Sequence, residues 1–172
     1  KCLPGKYNPD EGAMTVDACI DAAPGFHVPT TTTGASSQTP CSAGTYQAAY
    51  GMTECTEAEA GYYVDTTEAS SPTPCSAGSY QPSTGQVSCL DAGDGHYVAG
   101  TGQSEHTPCP IGTYQPDVGK IICEDADPGY FVGEDGSTTQ TGCHAGTYQP
   151  GQAQESCIST EPGYYVTGTK AT

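Results

Sequence analysis

The chain has 172 residues, a net charge of −16 from 20 acidic and 4 basic side chains, no tryptophan, and only 34% apolar residues. Leu3 and Leu90 are the only leucines, and 23 glycines with 14 prolines interrupt the rest, which excludes one large buried core. Four lysines and no arginine cannot neutralise a nucleic-acid backbone or an anionic membrane surface, and no stretch has the length and apolarity of a membrane span.

In chain order, one phrase recurs five times: cysteine, two residues, glycine, one residue, tyrosine, then a second cysteine, then glycine, two residues and valine. The first cysteines are Cys2, Cys41, Cys75, Cys109 and Cys143, and the second ones Cys19, Cys55, Cys89, Cys123 and Cys157. From Cys41 onward both series advance by 34 residues, which divides the chain into copies at 1–40, 41–74, 75–108, 109–142 and 143–172. Lys1 is followed at once by Cys2 with no export signal, and the last copy breaks off at Lys170-Ala171-Thr172; both ends read as those of a processed product or a piece of a longer array.

Within a copy, the cysteine-bounded part comes first. In the third copy its β-prone ends lie around Tyr80 and Val87, with serine, threonine, proline and glycine between them, the composition of a small hairpin. Gly51, Gly85, Gly119 and Gly151 are read as its turn. An even set of cysteines at repeating positions predicts disulfides in an oxidising compartment outside the cell. Zinc is the rival, but its thiolates stand two to four residues apart, and here Cys41 and Cys55, 14 apart, are as close as any pair. Two pairings are equally regular. One joins Cys2–Cys19, Cys41–Cys55, Cys75–Cys89, Cys109–Cys123 and Cys143–Cys157; the other joins Cys19 to Cys41, Cys55 to Cys75 and so on, stranding Cys2 and Cys157. The closed set is preferred, because an odd exposed thiol is a liability in a secreted chain. Closing about 15 residues contributes about 3 kcal/mol, too little for one copy to stand alone, so neighbouring copies should lean on one another.

The aromatic pairs follow: Phe26-His27, Tyr62-Tyr63, His96-Tyr97, Tyr130-Phe131 and Tyr164-Tyr165, each between a glycine and a valine. Alternation along an extended segment sends the two rings to opposite faces, so one can cover the disulfide and the other meet the next copy or water. Tyr63, Tyr97, Phe131 and Tyr165 are assigned to packing, and Tyr7, Tyr46, Tyr80, Tyr114 and Tyr148 to a core beside their cysteines, in preference to a sugar-stacking platform.

The connectors come last and vary most. Threonine and serine beside proline is the composition of O-glycosylated stalks, which makes Thr30, Thr31, Thr32, Thr33, Thr39, Thr66, Thr67, Ser71, Thr73, Thr107, Thr138, Thr139 and Thr141 candidate acceptors. N-glycans are excluded, since the only asparagine, Asn8, precedes proline. Acidic residues such as Glu57, Glu59, Asp91, Asp94, Glu124, Asp125 and Asp127 read as a solvated face rather than a calcium loop, because no oxygen-ligand register repeats. No cofactor and no metal are expected.

The phrases Cys75-Ser76-Ala77-Gly78-Ser79-Tyr80 and Cys109-Pro110-Ile111-Gly112-Thr113-Tyr114-Gln115 resemble the opening of the ephrin-receptor-like and tumour-necrosis-factor-receptor-like cysteine-rich repeats, and all five copies carry it. The resemblance implies an elongated ectodomain of small disulfide-stapled β modules, in which the first cysteine of the phrase pairs with the next, matching the closed set above. Those families also carry extra cysteines, which this chain lacks.

The fold expected is therefore small, disulfide-rich, mostly β and irregular: an elongated tandem array of five hairpin modules. No catalytic residues are assigned, because His27, His96, His106 and His144 occupy unlike repeat positions and no nucleophile has a recurring base. A structural extracellular protein is the favoured function, a glycosylated filament or surface-appendage subunit whose partners are its own copies. Joining Val166 through Thr172 to Lys1-Cys2 of a second molecule nearly continues the valine-to-cysteine spacing, and such a head-to-tail contact does not close. A ligand-binding or adhesive ectodomain or stalk is the alternative.

Overall fold

The computed structural model describes residues 1–10 and 18–172; residues 11–17 of the first cysteine-bounded loop lie outside the described residues. Among the described residues, eighteen two-residue strands pair antiparallel into nine two-stranded sheets. Thr45–Tyr46 pairs with Thr56–Glu57 and Tyr62–Tyr63 with Thr73–Pro74; Thr113–Tyr114 pairs with Glu124–Asp125 and Tyr130–Phe131 with Thr141–Gly142. Each 34-residue copy thus holds two hairpins. The aromatic pair opens the second of them, and the serine- and threonine-rich connector is its loop and return strand. The return strand of the first hairpin also lies later than expected. Val87 sits in a loop, 49% exposed, and the strand is Leu90–Asp91, just past Cys89.

The two hairpins of a copy are variants of one unit. Glycines 44, 61, 78, 95, 112, 129, 146 and 163 recur every 17 residues, half the cysteine spacing, and all have φ between 70° and 93°. Each stands third in a turn closed by a backbone bond, as in Thr113 N–H to Pro110 O at 3.0 Å and Tyr130 N–H to Asp127 O at 2.9 Å. A turn with positive φ at its third residue is type II, and it favours proline at the second, where Pro24, Pro128 and Pro162 stand. In the bridged hairpins the serine or threonine after the glycine adds a side-chain bond to the same carbonyl: Thr45 Oγ1 to Ser42 O, Ser79 Oγ to Ser76 O, and Thr113 Oγ1 to Pro110 O.

A second positive-φ position recurs with the same period in the hairpin loop. Glycine fills it at Gly34, Gly51, Gly85, Gly102, Gly119 and Gly136, but Glu68, Ala153 and Lys170 fill it with φ of 63°, 55° and 61°. In the fifth copy the turn residue is therefore Ala153, two residues past Gly151, where the sequence alone placed it. The left-handed conformation costs a side-chain-bearing residue about 1–2 kcal/mol, so packing must hold these three in place.

Two-residue hairpins have no stability of their own. The chain divides into two compact units, one of Lys1–Cys75 with Gln81–Cys89 and the other of Ser76–Tyr80 with Leu90–Thr172. In the first unit, Gly25, Gly44 and Gly61 donate their N–H groups forward to the carbonyls of Gln47, Val64 and Gln81, while their own carbonyls accept from Cys41, Ala58 and Cys75. In the second unit, Gly78, Gly95, Gly112 and Gly129 donate to Val98, Gln115, Val132 and Gln149, and accept from Ala92, Cys109, Ala126 and Cys143. Interhairpin backbone bonding thus replaces the wide sheet these short strands cannot make.

Burial follows the same period. From Ala22 to Val132 the first, fourth and seventh positions of every hairpin are buried: Cys41, Gly44 and Gln47 in one type, Ala58, Gly61 and Val64 in the other. Close approach explains the glycine. A Cβ on Gly112 would collide with the carbonyl oxygen of Ala153, and one on Gly44 with that of Gly85. The fold is a small, disulfide-rich, mostly β tandem array.

Candidate functional site

The candidate site is the bridged hairpin and whatever lies on its sulfurs. All ten cysteines are paired, as Cys2–Cys19, Cys41–Cys55, Cys75–Cys89, Cys109–Cys123 and Cys143–Cys157, with Cα–Cα separations between 5.6 and 5.8 Å. In each bridge after the first, the first cysteine is buried and the second half-buried.

In the four bridges from Cys41–Cys55 onward, a glutamine directly after the tyrosine holds the loop from inside. Gln47, Gln81, Gln115 and Gln149 are no more than 5% exposed. Their Nε2 groups donate to the carbonyls of Glu54, Ser88, Ile122 and Ser156, the residues just before the second cysteines, over 2.7–2.9 Å. Their Oε1 atoms accept the N–H groups of Ala49, Ser83, Asp117 and Gly151. The amide's donor and acceptor are thereby both engaged in spanning the loop, which is what makes its burial tolerable. Sequence reasoning passed over these residues; the signal was their invariable place after Tyr46, Tyr80, Tyr114 and Tyr148.

The unbridged hairpins show what stands in for sulfur. Ala22, Ala92 and Ala126 take the place of the first cysteine, and Gln38, His106 and Gln140 that of the second. There the second side chain accepts the N–H of the residue after the alanine: Gln38 Oε1 from Ala23 at 2.8 Å, His106 Nδ1 from Gly93 at 3.4 Å, and Gln140 Oε1 from Asp127 at 2.7 Å. Pro72 fills the position opposite Ala58.

The tyrosines assigned to a core, Tyr7, Tyr46, Tyr80, Tyr114 and Tyr148, are half-buried, as are Tyr63, Tyr97 and Phe131. Tyr80, Phe131 and His27 lie near the bridge position of the following hairpin. Tyr80 stacks on His106 with centroids 4.7 Å apart, Phe131 and Cys157 line one groove, and His27 stands on Cys55. Tyr165 departs from its packing assignment at 84% exposed, since no described hairpin follows to cover it. Of the acceptor candidates, Thr138 is half-buried and the other twelve are exposed; Thr39, Thr73, Thr107 and Thr141 lie in return strands and the rest in loops.

Charge is sparse and mostly solvated. Among the described residues Lys6 bonds Asp21 across its hairpin at 2.7 Å, Lys120 bonds Asp117 at 3.0 Å, and Lys170 lies over the Tyr130 ring. Burial raises the Tyr114 phenol above its ordinary range, and Glu124, opposite it in the hairpin, adds to the shift. His106 is also stacked on His96, with centroids 4.1 Å apart; partial burial and then the His96 charge lower its pKa below the usual 6.5. Among the described residues, one cluster has donor atoms suited to a metal: His27, Cys41 and Cys55, all within 4.8 Å. The two sulfurs are bonded to each other, so it presents an imidazole beside a disulfide rather than thiolate ligands.

Residues 95–143 match the family model described as tyrosine-protein kinase ephrin type A/B receptor-like. No curated protein matches the chain. The matched segment contains the Cys109–Cys123 bridge, the Gln115 clamp and the unbridged hairpins on either side, so the resemblance to ephrin-receptor-like cysteine-rich repeats lies in the bridged module itself. Family and disulfides together point to an extracellular or secreted repeat domain, and no described helix is long and apolar enough to cross a membrane.

Proposed function

We propose that this chain is a non-catalytic structural array outside the cell, O-glycosylated along its connectors, whose copies join head to tail into a filament or surface appendage. The observation that carries the reading is uniformity. In both units each hairpin offers the next the same backbone donors and acceptors, so the hairpin at an end is a template for another of its kind. Beyond the last strand pair, Tyr164 and Tyr165 are 75% and 84% exposed, where Tyr130 and Phe131 at the equivalent places are half-covered. In the proposed filament they are covered by the first hairpin of a second copy, an unclosed contact that propagates. The exposed threonines and Ser71 leave room for sugars, and the array needs no cofactor.

Sedimentation and electron microscopy of the purified chain over a range of concentrations test this. Oligomers that lengthen with concentration, and shorten with Tyr164→Ser and Tyr165→Ser, support the filament; monomers throughout refute it. Intact mass before and after O-glycan removal tests the sugars. The match over residues 95–143 favours a second reading, a stalk or adhesive ectodomain segment of a larger surface protein, for which a monodisperse chain is the expected outcome.

A further inference from the structure

We propose that the Cys41–Cys55 bridge is a thiol-exchange site, opened by small thiols ahead of the other regular bridges because His27 stands on it. His27 Nδ1 lies 3.2 Å from Cys55 Sγ, and the imidazole and both sulfurs fall within 4.8 Å of one another. A bridged sulfur carries no proton, so the imidazole N–H is the donor. Among the described residues, Cys55 is the one bridge sulfur with a polar side-chain partner.

The 17-residue equivalence makes this arrangement exceptional within the molecule. His27 occupies the place that Tyr63, Tyr97 and Phe131 hold in their hairpins. Phe131 lines one groove with Cys157, but it brings a hydrocarbon ring with no proton to give. His144 shares that groove and directs its Nδ1 to Thr147 Oγ1 at 3.0 Å. Among the described residues, only at Cys55 is the ring at this place an imidazole.

Thiol–disulfide exchange speeds up when the departing sulfur is stabilised as a thiolate, and a neighbouring imidazolium does that. An external thiolate attacks Cys55 Sγ, the half-buried sulfur, since Cys41 is only 1% exposed. A bond forms between the external sulfur and Cys55, the Cys41–Cys55 bond breaks, and the electron pair leaves on Cys41 Sγ as a thiolate, with the His27 ring within 4.8 Å to stabilise it. A second external thiolate attacks the external sulfur of the mixed disulfide, releasing Cys55 as a thiolate beside the His27 N–H. Two thiols are oxidised to one external disulfide, and one bridge is reduced to two cysteine thiols.

The test uses the intact oxidised chain. It is exposed to limiting dithiothreitol at pH 7, quenched with an alkylating agent at intervals and mapped by peptide mass. Cys41 and Cys55 should be labelled about three- to tenfold faster than the Cys75–Cys89 and Cys109–Cys123 pairs, because a stabilised leaving thiolate speeds exchange. His27→Phe should abolish the lead, with His27→Tyr as the second variant; both are residues the array already uses at this place. Phe131→His should transfer the lead to Cys143–Cys157. Equal rates in the unmodified chain, a lead that survives both His27 substitutions, or no acceleration by Phe131→His would each overturn the assignment.

Discussion

Replacing Ala126 and Gln140 together, as Ala126→Cys and Gln140→Cys, should close a sixth disulfide. The two residues stand where Cys109 and Cys123 stand one hairpin earlier, at the same sequence separation of 14, and those cysteines have their Cα atoms 5.8 Å apart, well inside the range a disulfide spans. Ala126 is fully buried, as Cys109 is, so the added sulfur enters a place the bridged hairpin already uses for one. What is lost is the bond from Asp127 N–H to Gln140 Oε1 at 2.7 Å and that from Gln140 Nε2 to Asp127 Oδ2 at 2.8 Å, both exposed and together worth about 1–2 kcal/mol. Closing a loop of about 15 residues adds about 3 kcal/mol. The net gain of about 1–2 kcal/mol should raise Tm by roughly 5–10 °C in calorimetry of the oxidised protein. Intact mass and thiol titration report whether the bridge forms. Two free thiols in a folded double variant would refute the equivalence of bridged and unbridged hairpins.

Three other outcomes follow from the same geometry. Gly112→Ala forces a side chain into both a positive φ and the Ala153 carbonyl and should cost more than about 3 kcal/mol in denaturant unfolding, whereas Ala153→Gly relieves its left-handed strain and should gain about 1 kcal/mol. Gln115→Leu leaves the Ile122 carbonyl and the Asp117 N–H without their partner and should cost about 2–4 kcal/mol; an unchanged unfolding midpoint would show that the clamp carries no weight. His106 has its folded pKa lowered by burial and by His96, so the unfolded chain binds the proton first; stability is fully present above about pH 6.5 and is lost as pH falls through the folded value. His106→Gln, the residue used at position 140, should flatten that acid limb in melts between pH 7 and 5.

The cysteine ruler was legible because sulfur is rare and its spacing constant, and it led to the disulfide-rich β class and to the family whose model matches residues 95–143. Its very regularity concealed the finer unit. Alternate hairpins drop both cysteines together, Ala126 and Gln140 replacing Cys109 and Cys123, so a reading anchored on sulfur counts 34 where glycine counts 17. Gly44, Gly61 and Gly78 already carried the shorter period. Ala153 was missed because an alanine gives no sign of a left-handed backbone, and nearby Gly151 drew the assignment. The buried glutamines were unreadable for another reason. Glutamine is by habit a surface residue, and only the loop carbonyl it meets reveals that it lies inside. Tyr165 packs only if something lies beyond it, a condition that neighbouring residues cannot express.

An interior of cysteine or alanine, glycine, and glutamine or valine contains little oil to wet when it opens. The heat capacity of unfolding rises with the apolar surface exposed, at about 0.45 cal/mol/K per Å², and falls with the polar surface. This chain should therefore sit below the roughly 12–15 cal/mol/K per residue of ordinary domains, and its stability curve should be correspondingly shallow. Such a material changes little between cold and warm surroundings, since its cohesion rests on sulfur and amide bonds rather than on the temperature-sensitive avoidance of water.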